Sequence, residues 1–337
     1  MRRFLIKVSV FSIPLLIFVA CYFYVVANMT GDLGTIGMIP FGNYEVGEKP
    51  DFAGYYECYS IEDARDAEIV VIGDSFSEQH ENSFENYLGK ALGKKVCHLY
   101  IKKRITNPCA AANYLIENDL LPNCKVLVLE SGERQAVWRL CNCFKDVKIE
   151  FKSPGNGSDE GLDISKYLNI SKMSSFLKLS LNIDDPVVRM PLDGDYFSGK
   201  WADRLYFYAS KDDGGGDLWY LDCSDALCDK AKDNLLKLRQ KASDKGIDFY
   251  FLMPAGKLDM YFDKIVDNPY PANLVVERFS DMDTTWFVDG RKILTPLVES
   301  GVKDVYLKND THWSRLGAEV VGCRLARLIE LKHGEER

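Results

Sequence analysis

Apolar and polar positions follow two rhythms along this chain, and each rhythm predicts a kind of element. Short, nearly unbroken apolar runs recur at Glu68 to Gly73, Lys95 to Tyr100, Lys125 to Glu130 and Ile247 to Met253, with polar residues at their edges, as in buried strands. Between them the apolar positions take helical spacing. Phe76, Phe84, Tyr87 and Leu88 suit a helix, Ile105 to Asn118 reads as loop and helix, and Asp225 to Lys245 carries Leu227, Ala231, Leu235 and Leu238 before Gly246 ends it. Gly290 to Ser300 is a further helix, Val302 to Leu307 the last strand and Ser314 to Leu331 the closing helix, with Leu316, Val320, Leu325 and Leu328 near one stripe. Strands that alternate with helices pair in parallel. The expected fold is therefore α/β, a three-layer α/β/α sandwich around a mostly parallel sheet spanning residues 66–332, with reactive groups gathered at the carboxyl ends of the strands.

Two regions break the rhythm. Val8 to Ala27 runs for twenty residues without a charge, behind Arg2, Arg3 and Lys7 and ahead of Asp32. That length and those flanks fit a helix that spans a bilayer and leaves the body translocated. No small-x-small cleavage site stands out, so residues 1–30 are expected to be an uncleaved, single-pass inner-membrane anchor, with the domain in the periplasm or outside the cell. Residues 31–65 read as a connector. From about 141 to 220 the pattern dissolves into polar turns, Ser153 to Gly161 and Lys211 to Asp217, around an aromatic segment from Tyr196 to Tyr208. Trp201, Tyr206, Tyr208 and Trp219 there either stack on sugar rings or pack the excursion to the body.

Composition narrows the partners. Forty-two basic against fifty acidic residues give a net charge of −8, with no basic block beyond Lys102-Lys103-Arg104, which argues against nucleic acid. Without anchor and connector about 270 residues remain, enough for one large domain with its own core. Ten cysteines in an oxidising compartment imply disulfides, and Cys223 with Cys228 is the easiest bridge to propose. Cys141-x-Cys143 has the look of half a zinc site, but no Cys-x-x-Cys partner or nearby histidine supports it, so no metal is expected.

Candidate chemistry sits near the two ends of the domain. Gly73-Asp74-Ser75-Phe76-Ser77 follows an apolar strand and precedes a helix, a corner that projects a serine where backbone N–H groups can stabilise an oxyanion; an N-capping serine is the plainer reading. Asp310-Thr311-His312-Trp313 lies before the closing helix. Residues two apart in extended backbone share a side, so Asp310 can hold one nitrogen of His312 and make the other a base. Asp74 reads as a turn and cap residue. His80, His98 and His333 fit the role of base less well.

These blocks, in this order, resemble the SGNH hydrolase superfamily, and more narrowly its alginate O-acetyltransferase-like branch with an Asp-x-His-Trp block. Leu127 to Arg134, Phe251 to Lys257 followed by Tyr261, and Trp286 to Leu297 resemble further segments of that branch. The resemblance implies a Ser75–His312–Asp310 triad, an acyl-serine intermediate and no cofactor. It also implies a polysaccharide acceptor and a multi-pass membrane acyltransferase that supplies acetyl groups, in exopolysaccharide biosynthesis. Lys257 and Tyr261 are implied at the border of the site. The superfamily's usual oxyanion glycine and asparagine are missing after the second and third strands, which leaves Asn107 or Arg134 as substitutes beside the Ser75 N–H. An esterase with the same triad, or a catalytically weak polysaccharide-binding scaffold, are the alternative functions. Sequons at Asn28, Asn156, Asn169 and Asn309 are read as accidental.

Overall fold

The structure is a computed structural model that describes residues 1–41, 56–58, 64–79, 83–99, 107–145, 170–181, 186–209 and 223–335. Its elements run in the order α1 (Arg2–Asn28), α2 (Gly31–Ile36), β1 (Tyr56–Cys58), β2 (Ile69–Ile72), α3 (Phe84–Leu92), β3 (Val96–Leu99), α4 (Pro108–Glu117), β4 (Val126–Glu130) and α5 (Glu133–Cys141). Then follow α6 (Ile170–Ser180), β5 (Val187–Pro191), β6 (Arg204–Tyr208), α7 (Asp225–Asp244), β7 (Asp248–Met253), α8 (Lys257–Met260), α9 (Val275–Arg278), β8 (Phe287–Asp289), α10 (Gly290–Glu299) and α11 (Arg315–Glu335).

Six strands form one parallel sheet in the order β1-β3-β2-β4-β7-β8. Every residue of β2, β3 and β4 is buried, because both faces of the sheet carry helices, and their continuous apolar runs follow from that. The chain moves one way from β2 through α3 to β3, then reverses through α4 to β4 and on to β7 and β8. Right-handed crossovers put helices of opposite direction on opposite faces. Accordingly α3 packs with α11, and α11 with α10, while α4, α5 and α7 form the other layer. The reversal falls between β2 and β4. That is the topological switch point, where open parallel sheets bind ligands.

Three expectations are corrected. Val302 to Leu307 is not a strand: Asp304 takes φ 57° and its carboxylate accepts from Ser198 N at 2.9 Å, so the chain turns, and only an isolated bridge joins Tyr306 to Trp313. Tyr56–Cys58, within the expected connector, instead adds an edge strand to the sheet. Cys223 and Cys228 are thiols, and the bridge among described pairs is Cys109–Cys143, across 34 residues; Cys97 is also disulfide-bonded. Ser224 between them caps α7, with its hydroxyl accepting from Leu227 N, which places Cys223 just before the cap and Cys228 one turn inside, buried in the core. Cys143, spent in its bridge, offers no thiolate to a metal.

Within the excursion, the described residues 186–209 dock against the body. β5 and β6 form an antiparallel hairpin, and Val187 and Tyr206 on it pack with Leu33 and Ile39 beside α2. Tyr206 is buried against Phe41 at 5.0 Å between ring centroids, so it packs and does not face a ligand; Trp201 is partly exposed, and Trp219 lies outside the described residues. Helix α1 is long and apolar enough over Lys7–Asn28 to cross a membrane. Its Phe18 and Tyr22 meet Phe176 of α6, at 5.5 and 5.7 Å between centroids.

Candidate active site

The serine turn is built from beneath. Directly after β2, Gly73 leaves no room for a side chain: a Cβ there would lie 2.1 Å from Ser77 Oγ and 2.4 Å from Glu130 Oε2. Glu130, at the carboxyl end of β4, accepts from Asp74 N at 2.7 Å and from Ser77 Oγ at 2.7 Å. Complete burial, then the charge of Asp74, pushes its carboxyl well above the usual carboxylate range. Asp74 folds the turn from above. Its Oδ1 accepts from Phe76 N at 3.1 Å, and its Oδ2 accepts from Gly132 N at 3.0 Å and pairs with Arg139. It is thus a turn residue, tied to the start of α5. Ser75 is left half-buried at the apex, and its N–H donates to no described residue.

The histidine loop is a tight excursion, not extended backbone. Leu307 N donates to His312 O and Ser314 N to Val305 O, both at 3.0 Å, which closes residues 305–314 on themselves. Asp310 and His312 still meet, by an Asx-type turn in which Asp310 Oδ1 accepts from both His312 N at 3.2 Å and His312 Nδ1 at 2.5 Å. A carboxylate only accepts, so the ring proton is assigned to Nδ1 and Nε2 is the basic nitrogen. Burial alone would raise the Asp310 carboxyl, but the hydrogen bond and charge of His312 prevail and lower it to about 2. His312 Nε2 is buried and has no hydrogen-bond partner among the described residues. Phe76, the residue after Ser75, packs edge-on against both His312 and Trp313, at 4.8 Å between centroids in each case. The serine turn and the histidine loop are therefore neighbours, although Ser75 and His312 do not share a hydrogen bond here.

Two buried lysines fasten the histidine loop, each by donating to backbone carbonyls. Lys257 Nζ donates to Lys308 O at 2.8 Å and to Asp310 O at 2.9 Å, and the residue is fully buried. Lys308 Nζ in turn donates to Ser198 O at 2.6 Å and Lys200 O at 2.7 Å on the hairpin turn. Burial lowers its pKa.

Sequence reasoning missed Asp32. This residue of α2 accepts from Thr311 N at 2.9 Å and Thr311 Oγ1 at 2.5 Å, and its own N–H donates to Asp310 Oδ2 at 3.0 Å. Its Oδ2 lies 4.0 Å from His312 Nδ1. Burial first, then the charge of Asp310, raises the Asp32 carboxyl above its ordinary value. No local pattern marks it, since its partners lie 278 and 279 residues away. Asp32, Asp310 and His312 offer ligand atoms within 4.8 Å of one another. Both oxygens of each carboxylate already accept a hydrogen bond, and those bonds account for the cluster.

The remaining candidates separate. Asn107 caps α4, with Oδ1 accepting from Cys109 N at 2.9 Å and Nδ2 donating to Arg139 O at 2.8 Å, so its amide is committed to the fold. Arg134 stands in the first turn of α5, half-buried, beyond the carboxyl end of β4. Tyr261 is fully buried among Tyr196, Phe197 and Tyr306, and burial pushes its phenol up. It packs beneath the loop.

The architecture is α/β with a mostly parallel sheet, and it sets a serine turn at the switch point beside the Asp-x-His loop that precedes the last helix. Residues 220–337 match the family model described as the SGNH hydrolase-like domain of acetyltransferase AlgX, so this part of the chain is similar to that domain. The matched segment holds Lys257, Tyr261, Asp310 and His312; Ser75 lies outside it. No curated protein and no solved structure gives a significant match.

Proposed function

We propose that this protein is a membrane-anchored, extracytoplasmic O-acetyltransferase that acetylates a polysaccharide through an acyl-serine at Ser75. The observation that carries the reading is the Asp310–His312 pair. Its free, buried Nε2 lies on the loop that Phe76 packs against the serine turn. His312 takes the proton of Ser75 as Oγ bonds to the acetyl carbon, then gives it to the departing donor oxygen as that bond breaks. A sugar hydroxyl next attacks the acyl-serine, its proton passes to His312, and His312 returns a proton to Ser75 Oγ as the Ser75 ester bond breaks. Asp310 stays ionised throughout, and the Ser75 N–H is the first oxyanion donor. The helix α1 anchors the domain at the inner membrane, with the body in the periplasm. Acetyl-CoA is confined to the cytoplasm, so a multi-pass membrane acyltransferase supplies the acetyl group.

The test is full-length protein with an activated acetyl ester and a panel of oligosaccharide acceptors, with sugars read by mass spectrometry. Acetyl transfer to sugar that is lost in Ser75→Ala supports the transferase. Release to water alone, with every acceptor present, makes the protein a carbohydrate esterase. Tight glycan binding without any acyl turnover makes it a scaffold.

A further inference from the structure

Residues 30–34 wrap the histidine loop at close range. A Cβ on Gly31, which has φ +73°, would lie 2.1 Å from Asn309 O. Leu33 N and Gly34 N donate to that same carbonyl at 3.2 and 3.4 Å, and Asn309 Nδ2 donates to Thr30 Oγ1 at 2.8 Å. With the Asp32 bonds to Asp310 and Thr311, every residue from Asn309 to Thr311 is held by the segment that follows the apolar helix. From this geometry we infer that α2 is a structural part of the active site, and that Asp32 is the positioning residue that sets the Asp310–His312 pair.

Three consequences of the contacts support the assignment. Asp32 occupies the backbone N–H and the hydroxyl of Thr311, the residue between acid and base, so it limits rotation of both neighbours. Its N–H takes Asp310 Oδ2, which leaves Oδ1 alone to face His312. Its Oδ2 lies 4.0 Å from Nδ1, a second acidic oxygen on the side of the ring that Asp310 holds. The sequence neighbours of Asp32 also fix where the domain stands. Only Met29 and Thr30 separate α1 from α2, so the site is held close to the end of the apolar helix. An acyl donor delivered at a membrane surface then meets the serine without a long tether. That last step rests on the anchored transferase reading given above.

The test uses full-length protein in detergent micelles and p-nitrophenyl acetate as probe, with the rate of Ser75 acetylation followed from pH 5 to 9. Asp32→Asn preserves shape and hydrogen bonding to Thr311 but removes the charge; Asp32→Ala removes both. Asp32→Ala slows acetylation by about 10- to 100-fold through kcat, with KM little changed, as for a misplaced reacting group. Asp32→Asn keeps the bonds to Thr311 and recovers most of the rate that Asp32→Ala loses. If Asp32→Ala fails to fold, Thr311→Val, which removes the hydroxyl bonded to Asp32, decides by the same loss in kcat. Wild-type rates in Asp32→Ala and in Thr311→Val overturn the positioning role while Ser75 remains the nucleophile. No acetyl on Ser75 of the wild type overturns both readings.

Discussion

Lys257 is the residue whose removal tests the architecture of the histidine loop most sharply. Its ammonium is fully buried and serves the carbonyls of Lys308 and Asp310. In Lys257→Met a similar volume remains, but both carbonyls lose this partner. Each buried acceptor left unsatisfied costs about 1–3 kcal/mol. Relief from burying a charged group offsets part of the sum, so a net loss of about 2–4 kcal/mol is expected. The effect reaches chemistry as well. A carbonyl freed at Asp310 lets that residue turn, and the 2.5 Å bond to His312 depends on its orientation. The assay is urea unfolding of the full-length protein alongside p-nitrophenyl acetate labelling, with Lys308→Met as a control that loosens the hairpin end of the loop. A loss below about 0.5 kcal/mol with unchanged labelling would refute the clamp, because surface-like substitutions fall in that range.

Other predictions follow from the same geometry. Asp310 has its carboxyl lowered to about 2 from 3.8, so it contributes stability above pH 4 that is lost as pH falls through about 2; the size is about 2 kcal/mol. Acid unfolding of His312→Ala should begin at higher pH than that of wild type, and coincident curves would contradict the pairing. Peptide mapping without reductant should recover Cys109 joined to Cys143 and leave Cys223 and Cys228 open to alkylation after unfolding. Replacing both bridge cysteines by Ala should cost about 4 kcal/mol from loop entropy, read by chemical unfolding. Gly73→Ala forces a methyl into Ser77 Oγ and Glu130 Oε2, so stability should drop by about 1–3 kcal/mol and labelling of Ser75 should nearly vanish.

What the sequence could reveal was whatever chemistry is local. The apolar run Ile69–Ile72 made β2 legible, and Gly73 with Ser75 marked the turn after it, because strand burial and turn geometry act over a few residues. The Asp-x-His pairing was legible from spacing, although the backbone achieves it by an Asx-type turn and not by an extended strand. The last strand failed because Val302 to Leu307 has the composition of a strand, while the left-handed Asp304 and its bond to Ser198 are decided by a hairpin about a hundred residues earlier in the chain. Lys257 was flagged by resemblance, yet its burial under two carbonyls depends on the loop at Lys308 to Asp310. Asp32 had no signal at all. A short helix after an apolar stretch reads as a connector until the tertiary fold brings Thr311 against it. Asn309, a sequon by pattern, proves to be buried and bonded to Thr30, a site with no space for a glycan.

The central claim is that Ser75 becomes acylated with His312 as its base. The most direct measurement is mass spectrometry of the full-length protein after brief exposure to an activated acetyl ester, acid-quenched and digested, beside Ser75→Ala and His312→Ala. The account predicts a single acetyl on the peptide that contains Ser75, absent from Ser75→Ala and slowed at least 100-fold in His312→Ala. Acetyl found only elsewhere, or on Ser75 at equal rates with and without His312, would contradict it.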